Sequence, residues 1–402
     1  MVRQRFSLKR VLLVFIMALF IWTSPGEVMA AEEVRTTVFI TGENENENLP
    51  PLEGWEQVEK YWYELEEEMG EFLPSWNIRD IWKNEGRGIV PFRELCTGLG
   101  RYLFAEVITN LGLLGQLLFL AVAAALLKSL QGAFSHEEVA RLTEAVAFFV
   151  LLGLAMKSFT IVVETGKNTL EGMVNFMLAL LPVLFTLMAS LGHIASVSLF
   201  HPLIIFAVNF TASLISNIIF PLIFFATILY LMNHFSPHFK INRLADLFRD
   251  ISIFGLGLLL TLFIGFMAIQ GVAGGIGDAL TLKTAKFMTG TFIPVVGGML
   301  ADAVETVLGY SLLIKNSATI VGLVILALIT VFPLLKILAV ISIYKICSAL
   351  IQPLGETTLG EALQTMSKCL TLIFAAVATV ALAFFIGIAI IIGASNATVM
   401  LR

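Results

Sequence analysis

The sequence predicts an all-α, polytopic membrane protein of about eight to ten spans, containing two proline-broken internal repeats. Three observations carry this. Hydrophobic residues make up 58% of the chain and charged residues 14%, against about 25% charged in a soluble domain, and the mean hydropathy is +0.90. No Asp, Glu, Lys or Arg occurs in the 68 residues from Gly172 to Phe239, enough for three spans of about 20 residues. Finally, Leu181-Pro182-Val183 and Phe220-Pro221-Leu222 recur 112 residues later as Ile293-Pro294-Val295 and Phe332-Pro333-Leu334, with the two prolines 39 residues apart in each copy. Proline removes one backbone hydrogen bond from a membrane helix and invites a kink. Two copies at equal spacing predict two similarly broken bundles, at about 145–235 and 251–347, an arrangement common in transporters.

Residues 1–30 read as an export signal. A basic start (Arg3, Arg5, Lys9, Arg10) precedes the apolar run Val11 to Trp22, and Val28-Met29-Ala30 offers a cleavage site. Residues 31–100 form an acidic segment, expected outside the cytoplasm, with sixteen Asp and Glu against six Lys and Arg. Its alternating Glu43 to Asn48 stretch has too little apolar surface to fold. From Gly54, however, Trp55, Val58, Trp62, Leu65 and Met69 recur at three- and four-residue steps, predicting an amphipathic helix limited by Pro74. A second helix is expected from about Pro91 to Asn110. Its Phe92, Leu95, Leu99 and Leu103 could face the first helix, the bilayer or another protein. The acidity disfavours anionic lipid and suits a basic protein partner.

Residues 101–402 carry the membrane domain. Expected spans are Leu111 to Leu127, Ala145 to Val163 with Lys157 near its end, Met173 to Leu191, Ser198 to Asn217, Ile218 to Phe235 and Ile251 to Gly271, followed by the second copy. Ser198 to Phe235 is either a tight hairpin or a pair of half-helices. Ile351-Gln352-Pro353-Leu354-Gly355 ends the second copy. A polar link precedes a last span within Cys369 to Leu401.

Gly271 to Asn316 is the exception in this apolar chain. Asp278, Lys283, Lys286, Asp302, Glu305 and Lys315 stand there among glycines and Pro294. Ionisable residues at membrane depth are costly and mark polar paths; the same pattern also fits a loop followed by an interfacial helix. In the repeat alignment Ser190 and His193 fall opposite Asp302 and Glu305, so the acidic pair belongs to the second copy alone. Three residues apart, Asp302 and Glu305 share one helical face. They could hold a cation or pair with Lys283, Lys286 or Lys315.

Catalytic signatures are missing: there is no phosphate loop, no zinc-binding histidine pair and no nucleophile elbow. The five histidines are dispersed and the three cysteines form no framework. Neither enzymatic activity nor a metal, cofactor or nucleic-acid ligand is expected. Membrane lipid is the first expected partner.

Gly277-Asp278 through Asn316, with TLKTAKFMTGTFIPV, the acidic pair and SLLIKN, closely resembles the stage III sporulation protein AE family of endospore formers. The likeness extends to Phe200-His201-Pro202 and the Ile351 to Gly355 turn. It implies a place in the mother-cell membrane around the forespore, within a secretion-like channel complex. The partners implied are the other stage III sporulation A-operon proteins and the forespore-side channel protein. A permease-like conduit, a scaffold for ring assembly and a stand-alone ion-coupled transporter are the roles compatible with the residues.

Overall fold

The computed structural model describes residues 54–73, 92–134, 137–235, 241–292, 297–354 and 357–400, with side chains described outside Phe92, 127–144, Ala147, Phe235, 282–314, Leu354, Thr357 and 394–400. The expected signal peptide and the leader up to residue 53 lie outside these residues. Every regular element described is helical: α1 (Trp55–Met69), α2 (Phe92–Thr109), α3 (Leu111–Phe134), α4 (Glu137–Ser190), α5 (Ile194–Leu214), α6 (Phe220–Phe235), α7 (Asn242–Phe292), α8 (Gly297–Ile351) and α9 (Thr357–Met400).

The amphipathic pattern of α1 is realised. Trp55, Val58, Trp62 and Leu65 are buried while the glutamates between them are exposed or at the margin. Its apolar face lies on α4, with the Tyr61 ring edge-on to Phe176 at 5.4 Å. Burial and the neighbouring Glu64 raise the Tyr61 hydroxyl above its ordinary pKa. Gly54, which starts α1 at φ 88°, packs against Val183 and Pro182. Helix α2 turns its Tyr102 onto Phe72 and onto Phe332 of α8, with ring centroids 5.2 and 4.9 Å away. At Asn110 the chain bends by 44° into α3.

Five helices among the described residues are long and apolar enough to cross a membrane, six if the bent α2–α3 pair is taken as one span. The expected eight to ten segments run together. Ala145 to Val163 and Met173 to Leu191 belong to the single helix α4, and Ser198 to Asn217 continues into Ile218 to Phe235. The physical reason is that no signal at either junction suffices to stop a helix: the charges of Glu164, Lys167 and Glu171 interrupt only hydropathy, isolated Gly166 and Gly172 are tolerated inside a helix, and Pro221 is absorbed by a π turn. A true stop occurs at Gly192. There φ is 86°, and the His193 and Gly192 amides bond back to the Met188 and Ala189 carbonyls at 3.0 and 2.9 Å, the Schellman pattern that left-handed glycine permits.

Proline does not break these helices. Pro182, Pro202 and Pro333 sit inside α4, α5 and α8, whereas Pro294 falls among residues 293–296, outside those described. Before Pro221 the chain accommodates the missing amide by widening. Ile215–Ile219 forms one π turn, in which the Phe220 amide reaches back five residues to the Ile215 carbonyl.

Glycines set the closest approaches. Gly322 of α8 meets Leu180 of α4, and Gly172 meets Ile329, so these helices run antiparallel. Gly166 of α4 meets the ring of Phe220 and Ile373 of α9. A β-carbon at Gly98 would collide with the Phe72 carbonyl oxygen, while one at Gly100 would meet nothing within 4 Å. Backbone cannot swing aside, so Gly98→Ala should destabilise the α1–α2 unit by about 1–3 kcal/mol. Gly100→Ala should be neutral, or stabilising by up to about 1 kcal/mol. Thermal unfolding of the detergent-purified variants checks the contrast; equal melting temperatures would refute the packing described.

Candidate functional site

The charged stretch predicted to break the membrane domain is helical almost throughout. Helix α7 continues through Gly271, Gly274, Gly275 and Gly277 to Phe292, and α8 resumes at Gly297. Within it Asp278 is fully buried.

Asp278 meets the turn between α4 and α5. Its Oδ1 accepts the Ser196 amide at 3.1 Å. Its Oδ2 accepts the Ser196 hydroxyl at 2.5 Å and lies 3.1 Å from His193 Nδ1. With the carboxylate as acceptor, His193 carries its hydrogen on Nδ1. Ser196 is the third residue of α5, so its amide has no partner within the helix. His193, at the N-cap position, makes no capping bond of its own. Asp278 therefore supplies from α7 the oxygen that an N-cap residue normally supplies locally, where the helix dipole also favours negative charge.

Two glycines make room for this. A β-carbon at Gly274 would stand 2.5 Å from Ser196 Oγ and 3.1 Å from its Cα, and one at Gly277 would stand 3.0 Å from Ala195 Cβ. The glycines that looked like loop residues are a packing seat inside a helix.

Lys315 is also buried, at 1% exposure. It lies seven residues before Gly322, about 10 Å along α8, toward the end of α4 where the Asp278 cluster sits. Lys283 and Lys286 are on α7, and Asp302 and Glu305 on α8, with the three-residue helical spacing the sequence predicted. Their side chains are outside those described. His193 and Ser196 are not among the residues that the charge pattern singles out, although His193 is the counterpart of Glu305 in the repeat.

The opposite end of the α5–α6/α7 hairpin is polar too. Tyr230 donates to Asp246 at 2.5 Å, and His234 meets Thr365 of α9 at 3.0 Å. Ser196 and Tyr230 are 34 positions apart, about 50 Å of helix.

Chemically the Asp278 cluster is no nucleophile device. Ser196 gives its hydrogen to Asp278 rather than to His193, so the serine–base contact of a catalytic triad is not made. What the cluster provides is a buried acceptor with three donors converging on it, fixing α7 to the α4–α5 turn.

Comparison with known proteins places this arrangement. The model of the stage III sporulation protein AE family matches residues 77–395. The chain belongs to that family. The stage III sporulation protein AE of Bacillus subtilis (strain 168) is 38% identical over 349 residues, covering 86% of this chain and 87% of that one. No solved structure matches. Membership of the stage III sporulation protein AE family assigns the chain a role in sporulation, and the five helices among the described residues that are long and apolar enough to cross a membrane mark it as a membrane protein.

Asp278→Ala would strand three buried donors and should cost about 3–5 kcal/mol, as breaking a buried charged contact does. Asp278→Asn keeps one acceptor oxygen and should cost about 1–3 kcal/mol. Melting of the purified variants in detergent gives the order wild type, Asn, Ala. Coincident curves would show that the cluster contributes nothing to the fold.

Proposed function

We propose that the protein is a permease-like conduit in the channel complex joining mother cell and forespore, required for forespore development. The observation that supports it best is ionisable side chains inside the core of a long apolar bundle: Asp278, His193 and Lys315 are each at most 1% exposed. Such residues in membrane segments mark substrate or ion paths. In this reading the chain resides in the mother-cell membrane around the forespore, residues 31–100 face the space between the two membranes, and the other A-operon proteins and the forespore-side channel protein are its partners. Asp278, Lys283, Lys286, Asp302, Glu305 and Lys315 border the path, and the two proline-bearing units form its related halves.

A scaffold role for ring assembly has its own support. Apolar side chains are exposed along the whole hairpin, from Leu199 and Phe206 to Met232 and from Leu244 to Ile276. The two helical segments are 41 and 40 residues long, about 60 Å, twice the hydrocarbon thickness of a bilayer. Lipid alone covers half of that height, and protein neighbours would cover the rest.

Replacing Asp302 with Asn and Glu305 with Gln separates the readings. In a conduit, membrane-inserted protein stays near the wild-type amount while spore yield falls. Protein lost in step with spores would mean a structural ion pair, and normal protein with normal sporulation would remove the acids from any role.

A further inference from the structure

Helix α4 is buried on most sides, yet it exposes Glu164, Asn168, Glu171 and Asn175. The steps of four, three and four residues put them on one face. Between them the apolar side chains turn inward, with Leu170, Met173 and Val174 all buried. The polar face leads into a cleft of about 490 Å³ between α1 and α4, where Gln57, Lys60 and Glu64 line one wall and Asn175 belongs to the other.

The height of this face in the bundle is fixed by contacts. Gly166 packs on the Phe220 ring, and Ile219 beside it packs on Gly255 of α7. At that height the π turn, α6 and α7 expose Ile218, Phe225 and Phe254, at 53%, 53% and 70%. One level of the molecule is therefore apolar on the α6–α7 side and polar on the α4–α1 side. Hydrocarbon can cover the first but offers no partner to carboxylates and amides on the second.

We propose that the α4 face from Glu164 to Asn175, with the facing side of α1, is the hydrated wall of the path, and that α6 and α7 form the lipid-facing back. The proposal rests on the conduit reading and adds a stretch of wall on α4, at a different height from the Asp278 cluster.

Cysteine accessibility in the full-length protein tests it. With Cys96, the exposed native cysteine, replaced by Ser, single cysteines are placed at Glu164, Asn168, Glu171 and Asn175, and on the back at Ile218, Phe225 and Phe254. All are exposed positions, and each is read independently, so loss of one variant leaves the comparison intact. The probes are a cationic, membrane-impermeant methanethiosulfonate and a lipid-soluble maleimide, applied to membranes open on both sides. The reacting species is the thiolate, which forms in water and not in hydrocarbon, so the impermeant probe should label the front roughly tenfold or more faster than the back. Equal labelling of both faces would place this height outside the bilayer and overturn the proposal. A front reached only by the maleimide would overturn it as well. Fast front labelling combined with unchanged spore yield for Glu171→Lys would keep the hydrated face but remove the conduit role. Failure of the face itself leaves the conduit to be judged at Asp302 and Glu305.

Discussion

The contact on which the membrane bundle turns is the one between Asp278 and the first turn of α5. A carboxylate with no exposure is tolerable only where donors replace water, and here the N-terminus of a helix supplies them. The requirement runs backward through the sequence. Gly192 must adopt a left-handed conformation to end α4 at Ser190, with three residues left before Ile194, so that the amide of Ser196 points at α7. Gly274 and Gly277 must lack β-carbons for α7 to come close enough. Four positions, one in a turn and three on two helices, thus serve one acceptor, and each is sensible only if the others are present.

Helix length is the second constraint. A helix ends where its backbone finds other partners, not where the bilayer ends, and nothing in Leu214 to Pro221 offers such partners. The chain therefore absorbs Pro221 with a π turn and continues. The result is helices near twice the bilayer thickness, whose upper and lower halves need different surroundings. Counting spans in units of twenty apolar residues assumes that membrane and helix share a length, and in this protein they do not.

That distinction separates what could be read in the sequence from what could not. The α1 pattern, the α2 limits and the stop at Ile351 were legible because each is local: the apolar periodicity from Trp55, the Pro91 to Asn110 bounds of the second helix, and the Gln352–Leu354 turn lie in or beside the element they define. Asp278 was legible as a charge among glycines. Its partners were not, because His193 and Ser196 are 85 and 82 residues distant in the chain, and no local pattern encodes a pairing across two helices. The prolines misled for a related reason. Their spacing is visible, but whether a helix kinks or widens depends on neighbours that re-satisfy the freed carbonyls.

The placement of the polar face on α4 follows from the same register. Glu164 to Asn175 lies level with Phe220, which is 24 residues beyond Ser196 and 10 before Tyr230. The face is consequently between the two polar ends of the α5–α6/α7 hairpin, not beyond either of them, and it cannot be a solvated loop at the margin of the bundle. Charge in that position is stable if water reaches it from the side that α1 flanks, and α1 itself fits such a setting. Its fifteen residues contain six glutamates and one lysine, a composition that hydrocarbon excludes, and yet it packs along α4 beside Phe176, Ala179 and Val183. The outer face of α1, with its exposed glutamates and Lys60, therefore needs water beside α4 at this height.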